Sequence, residues 1–201
     1  MRSIKTISLF LGAILAFLLA SACGDDEGYG SGSIAPFSIV DANTIRLNGV
    51  INSNTESAFD EVLRQNPDTE LLIFGDAPGS EDDETNLRVG RKLFQLGLRT
   101  HVEDNGSIAS GAVDLFLAGA ERSLGSNARV GVHSWSDGNN EATDFPRDSE
   151  EHLFFIDYYV AIGFTRQRAE DFYFFTINAA SADDIHWMTS TEIETYEITT
   201  N

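Results

Sequence analysis

Cysteine occurs once in this 201-residue chain, at Cys23, so no disulfide can form within it. Basic residues are also scarce: 13 Lys and Arg stand against 32 Asp and Glu, a formal net charge of −19. Phosphate backbones are held by clustered cations, so this balance excludes a nucleic-acid partner, and it disfavours electrostatic docking on anionic lipid. The surplus of like charge keeps the chain soluble. No H-E-x-x-H or other local metal-ligand spacing joins His101, His133, His152 and His186, so no metal is expected. His152 reads as a surface residue and His186 as a semi-buried one. Nothing in the sequence implies a cofactor or encodes an ATPase.

One apolar run is present at the start. Arg2 and Lys5 precede a stretch from Ile7 to Ala20, and Ala20-Ser21-Ala22 closes it. Basic residues, an apolar stretch too short for a spanning helix, and an A-x-A site make residues 1–22 a secretory signal. Cys23 follows at once, which resembles a bacterial lipobox with the cysteine thiol lipidated. The expected location is the bacterial cell envelope, lipid-anchored and facing the periplasm, on either membrane. Gly24 to Ser33 reads GDDEGYGSGS, so residues 23–35 form a flexible tether.

Residues 36–201 read as a single domain. Hydrophobic residues make up 42% of the chain, enough for a packed core. Strands are expected at Thr44–Ile51, Glu70–Phe74, Thr100–Val102 and Ala128–His133, from alternating or short apolar runs. Helices are expected at Thr55–Gln65, Leu87–Leu96, Ser110–Ala120, Glu150–Ile162 and Thr165–Phe175, with Gly97 stopping the second. Asp76–Ser80 reads as a turn. Strands alternating with helices make an α/β domain with a largely parallel sheet.

Three segments in order resemble the Clp protease proteolytic subunit, its crotonase-like superfamily and the small periplasmic proteins related to it. Leu71-Leu72-Ile73-Phe74-Gly75-Asp76-Ala77-Pro78-Gly79-Ser80 stands where the family runs a strand into Asn-Ser-Pro-Gly-Gly. Ala109-Ser110-Gly111-Ala112 with Ala118-Gly119-Ala120 stands for Ala-Ser-Met-Gly and Ala-Gly-Ala. Asn127-Ala128-Arg129-Val130-Gly131-Val132-His133 stands for Asn-Ser-Arg, apolar residues and His. The tail His186-Trp187-Met188-Thr189, with Glu192 and Tyr196, is similar to the family's closing helix. The resemblance implies a ClpP/crotonase-like spiral of β-β-α units in one domain. It implies Ser110 as nucleophile and His133 as general base, with the N–H groups of Gly79 and Gly111 as oxyanion hole. It also implies a homo-oligomer, a trimer or a ring.

The residues fit that chemistry. A serine needs a base for its proton and donors for the developing oxyanion. Small residues from Gly106 to Ala109 leave Ser110 accessible, and a helix start presents outward N–H groups. A serine at a helix start is equally an N-cap. The family's third member, an Asp, aligns with Ile185; Asp184 reaches the place only after a one-residue shift. Glu81-Asp82-Asp83-Glu84 follows Ser80, and Ser80 with Asp83 reads as a capping box at a helix start. These carboxylates would favour a basic peptide over an acidic one. They lack the ligand spacing and glycine of a calcium loop. The aromatic pairs Phe154-Phe155, Tyr158-Tyr159 and Phe172 to Phe175 read as core or subunit interface.

The expected function is therefore an ATP-independent serine peptidase-like hydrolase outside the cytoplasm, acting on a peptide or protein substrate. A catalytically inactive module that binds peptide or a protein partner is the alternative, and a crotonase-type acyl enzyme is a third.

Overall fold

The computed structural model describes residues 34–200. The leader, Cys23 and nearly all of the tether lie outside the described residues.

Thr44-Ile45-Arg46-Leu47 alternates as read and forms β2 (Thr44–Leu47), burying Ile45 and Leu47 completely. The strand stops there; Ile51 makes only an isolated bridge to Ser80. β1 (Phe37–Asp41) pairs antiparallel with β2, and the Asp41 carboxylate accepts the Asn43 N–H in the turn between them. Helix α1 (Thr55–Gln65) buries Ala58, Phe59 and Val62, and Leu63 packs partly buried beside them. β3 (Leu71–Ala77) then runs parallel to β2. It takes in Asp76 and Ala77, which the sequence reading placed in a turn.

Helix α2 (Asp83–Leu96) begins four residues earlier than its apolar pattern shows. The first turn is acidic, and negative charge there is favoured by the exposed N–H groups. The cap corrects the expected capping box. Asp82, not Ser80, accepts the Thr85 N–H, at 2.9 Å, and Ser80 Oγ donates instead to the Asp83 carboxylate. Gly97 ends the helix at φ 68°, as expected.

β4 (Arg99–Ala109) is longer than the Thr100–Val102 core read for it. Its register against β3 shifts between Phe74 and Asp76, where Glu103 to Gly106 are taken up in an irregularity. Asp104-Asn105-Gly106 looks like a turn in sequence, yet the strand resumes beyond it. The two halves of β4 serve different partners. Thr100–Val102 pairs with β5 (Arg122–Leu124), and Ser107–Ala109 pairs with β6 (Arg129–Val132), both parallel. Between β4 and β5 in the chain lies α3 (Gly111–Leu117), every residue of which is buried.

A single-turn 3-10 segment, Ala142–Asp144, and another, Glu150–His152, lead into α4 (Leu153–Ala161) and α5 (Arg166–Ala179). β7 (His186–Trp187) adds antiparallel to β6, and α6 (Ser190–Thr195) closes the chain behind a Thr189–Glu192 capping box. One sheet thus runs β1-β2-β3-β4-β6-β7, with β5 off the path beside β4. All four strands expected from the sequence lie in it, and its interior pairings are parallel. The result is a mixed α/β domain. Among the described residues no helix is long and apolar enough to cross a membrane.

Candidate active site

The carboxyl ends of β3, β4 and β6 meet at one place, and each delivers a residue singled out in the sequence. β3 runs into Pro78-Gly79-Ser80. β4 runs into Ser110, and β6 into His133.

Ser110 links β4 to α3 with φ 52° and ψ −134°. This is a costly conformation for a residue with a side chain, on the order of 1–3 kcal/mol, and it persists only when the surroundings enforce it. They do so on both sides. The Ser110 N–H donates to the Gly131 carbonyl at 3.0 Å, and its carbonyl accepts the Val113 N–H at 2.8 Å. The Ser110 side chain makes no capping hydrogen bond to the helix, so its oxygen is not spent as an N-cap.

Glycine is required at two neighbours. Gly79 has φ 140°, and a Cβ there would stand 2.9 Å from Ser110 Cβ and 3.4 Å from its Oγ. At Gly111 a Cβ would collide with Ser80 Oγ at 2.2 Å and with the Asn86 amide at 2.8 Å. Asn86 Nδ2 donates to the Gly111 carbonyl at 2.7 Å, tying α2 to the start of α3. Of the two glycines assigned to an oxyanion hole, Gly79 thus packs directly on Ser110, and Gly111, next to it in the chain, packs on Ser80 and Asn86.

His133 is half-buried at the end of β6. Its Nδ1 lies 2.6 Å from the Ser134 carbonyl oxygen. A carbonyl has no proton to give, so Nδ1 carries the hydrogen and the neutral ring keeps its lone pair on Nε2. Ser134 is fixed in turn, since its N–H donates to the Ala180 carbonyl at 2.9 Å.

Asp184 does not join this arrangement. It is exposed, and its carboxylate accepts the N–H of Ile185 at 2.8 Å, a turn within its own loop. Ile185, the aligned position, packs its side chain against Gly131. The expected third member of a triad is thus corrected: among the described residues no carboxylate is bonded to His133, and the Ser134 carbonyl holds Nδ1 instead.

Ser110 and His133 line one cavity, a slot of about 60 Å³. Phe155, Tyr159, Phe172 and Tyr173 wall it, so the aromatic pairs of α4 and α5 serve the site as well as the core. Asp83 and Asp114 also line it. Asp83 is the one member of the acidic run to reach the slot; Asp82 caps α2, and Glu84 pairs with Arg88 at 3.0 Å.

Asp114 was missed by sequence reasoning. It is only 7% exposed, and Tyr159 donates its hydroxyl to Oδ1 at 2.6 Å. Tyr158 donates to the Asp114 backbone carbonyl at 2.8 Å. Burial pushes the carboxyl up to about 7, the Tyr159 hydrogen bond pulls it down, and the nearby Asp83 charge adds to the rise. The signal was present: in Gly111-Ala112-Val113-Asp114-Leu115-Phe116-Leu117 this is the sole charged residue, four positions after Ser110 and so one turn further along the same face.

The other histidines lie elsewhere. His101 Nδ1 meets Ser123 Oγ at 2.8 Å, and His186 Nε2 sits 3.0 Å from Glu192. His152 is 1% exposed, not a surface residue as expected. Its ring lies between the Tyr173 hydroxyl at 2.8 Å and the Pro146 carbonyl at 3.0 Å. No group of three or more metal-ligating side chains occurs among the described residues.

No family model and no curated protein matches the sequence. The fold does have counterparts among solved structures. A mutant of the 1510-N membrane-bound stomatin-specific protease, in complex with a substrate peptide, aligns with a TM-score of 0.50 at 19% identity, covering 77% of this chain and 71% of that one. ClpP1 from Listeria monocytogenes aligns with a TM-score of 0.52 at 17% identity, covering 79% of this chain and 89% of that one. The chain has the fold of these Clp-type proteases, as the three sequence segments implied.

Proposed function

We propose that this chain is a serine peptidase-like hydrolase that works without ATP outside the cytoplasm, with Ser110 as nucleophile and His133 as base. The observation that carries the reading is the backbone of Ser110: a side-chain-bearing residue held at φ 52° at a strand-to-helix junction, on the wall of a slot shared with His133. Strain of this kind is retained where a nucleophile must be presented.

In the reaction Ser110 Oγ attacks the carbonyl carbon of the substrate while Nε2 of His133 takes the hydroxyl proton. The oxyanion forms against the N–H groups of Gly79 and Gly111. Nε2 returns the proton to the leaving amine, and water releases the acyl group by the same steps. The Ser134 carbonyl keeps the ring in the useful tautomer. Being neutral, it stabilises the imidazolium less than a carboxylate would, so turnover is slow beside that of a complete triad.

The substrate is a peptide; the stomatin-specific protease of like fold holds one. The chain acts as a homo-oligomer, a trimer or ring. Phe94 and Leu96 on α2 and Leu153, Phe154 and Val160 on α4, all left exposed, would meet neighbouring copies. It is held at the cell envelope by lipid on Cys23. That no carboxylate is bonded to His133 among the described residues supports one second reading, an inactive module that binds peptide.

A fluorophosphonate probe separates the two. The hydrolase labels at Ser110, and His133→Ala slows labelling at least ~100-fold, the usual worth of a general base. A folded chain that takes no label at Ser110 is the binding module.

A further inference from the structure

We infer that the slot beside Ser110 is a specificity pocket for a slim basic side chain, an aminoalkyl group such as that of lysine, with the Asp114 carboxylate as its counter-charge. The slot's place next to the reacting bond rests on the hydrolase reading above; its preference for a cation rests on its own residues.

The first observation is a carboxylate without a counter-ion. Asp114 is nearly enclosed, and it forms no ion pair with a Lys or Arg among the described residues. Tyr159 satisfies Oδ1, while Oδ2 has no hydrogen-bond partner among the described residues. A buried carboxylate in this state is unfavourable, and it is relieved by a proton or by a cation. Burial raises the carboxyl to about 7, so near neutrality a proton is held part of the time. A bound ammonium would take the proton's place.

The second observation is the make-up of the walls. Asp83 lines the slot beside Asp114, and no Lys or Arg lines it. Phe155 and Tyr159 present aromatic surface, which suits an alkyl stem and attracts a cation at the ring face. A neutral alkyl chain would bury the same area but leave Oδ2 desolvated and unpaired. An acidic side chain would meet two carboxylates. A slot of about 60 Å³ has room for an unbranched chain more readily than for a bicyclic one.

The third is position. Asp114 lies one helical turn beyond Ser110 and lines the same slot, so a side chain that enters beside the nucleophile shares the slot with the carboxylate. The chain's net charge of −19 steers cations in the same sense.

Equilibrium calorimetry tests this on the full chain carrying Ser110→Ala, which blocks turnover. The probes are Ac-Ala-Ala-Lys-Ala-Ala-NH2 and the same peptide with norleucine for lysine, at pH 8. The lysine peptide should bind at least about tenfold tighter, in line with a desolvated charge pair. Asp114→Asn, whose amide still offers an oxygen to the Tyr159 hydroxyl, should erase that preference. Equal or tighter binding of norleucine overturns the inference, and that comparison needs no change at Asp114. So does binding of neither peptide, or a lysine preference that survives Asp114→Asn. A lysine preference in a chain whose Ser110 takes no fluorophosphonate upholds the pocket and defeats the hydrolase.

Discussion

His133 donates its Nδ1 hydrogen to the carbonyl of Ser134, 2.6 Å away in the next residue of the chain. The tautomer of the candidate base is thereby fixed locally, by backbone geometry at the end of β6. Asp184, which aligns one residue away from the family's acid, is occupied with the N–H of Ile185.

Asp184→Asn should accordingly leave fluorophosphonate labelling of Ser110 within about twofold of wild type, because no hydrogen bond to the base is lost. A loss of an order of magnitude or more would mean that the carboxylate reaches His133 during reaction.

Gly79→Ala tests the junction from the other side. The new methyl would be forced both into a positive φ of 140° and to within 2.9 Å of Ser110 Cβ. Stability should fall by about 1–3 kcal/mol in denaturant titration. Labelling of the folded fraction should fall by a larger factor, since the same clash displaces the nucleophile.

Asp114 makes stability depend on pH. Its carboxyl is raised by burial from 3.8 to about 7, so between those values the folded chain binds a proton that the unfolded chain has lost. The contribution is full below about pH 4, falls as pH rises and is gone above about 7, a span worth on the order of 4 kcal/mol. Asn carries no charge at either end. Asp114→Asn should therefore gain stability relative to wild type between pH 4 and pH 8, read as the difference between two urea midpoints measured at each pH. A difference that stays flat would show that Asp114 is ionised throughout.

Arg122 secures the end of the chain. It is buried, and its guanidinium donates to the carbonyls of Ile198, Gly119 and Glu197 at 2.8, 3.1 and 3.2 Å. Burial pulls it down to about 10, with the Arg168 charge adding to the fall, so it stays charged at neutral pH. Arg122→Ala would strand three carbonyls and should cost about 2–4 kcal/mol in denaturant titration. The tail from Glu194 onward should become the first site cut by a nonspecific protease.

Cys23→Ser should release the protein from membranes or block its processing, because the proposed lipid hangs on that thiol. Intact-mass measurement checks it: a mature chain beginning at Cys23 without added lipid would remove the anchor.

The α/β class and the order of the main strands were legible in the amino-acid sequence, because local patterns suffice for these; that Ser110 and His133 would share a site was implied only by the resemblance of three segments to a known family. Alternation reports strands, apolar stripes report helix faces, and Gly at 79 and 97 marks backbone that other residues avoid. It also carried Asp114 as a lone charge in an apolar helix, though only the slot gives that charge a meaning. Tertiary structure alone decided the rest. β4 continues through Asp104-Asn105-Gly106 because β3, β5 and β6 supply hydrogen bonds on both its edges. Asp82 takes the cap of α2 and Ser80 turns to Asp83, a choice between neighbouring side chains that depends on where Gly111 presses. His152 is buried because α5 brings Tyr173 across it. The partner of His133 follows from the course of the backbone at Ser134, since a carbonyl belongs to every residue and leaves no mark in the sequence.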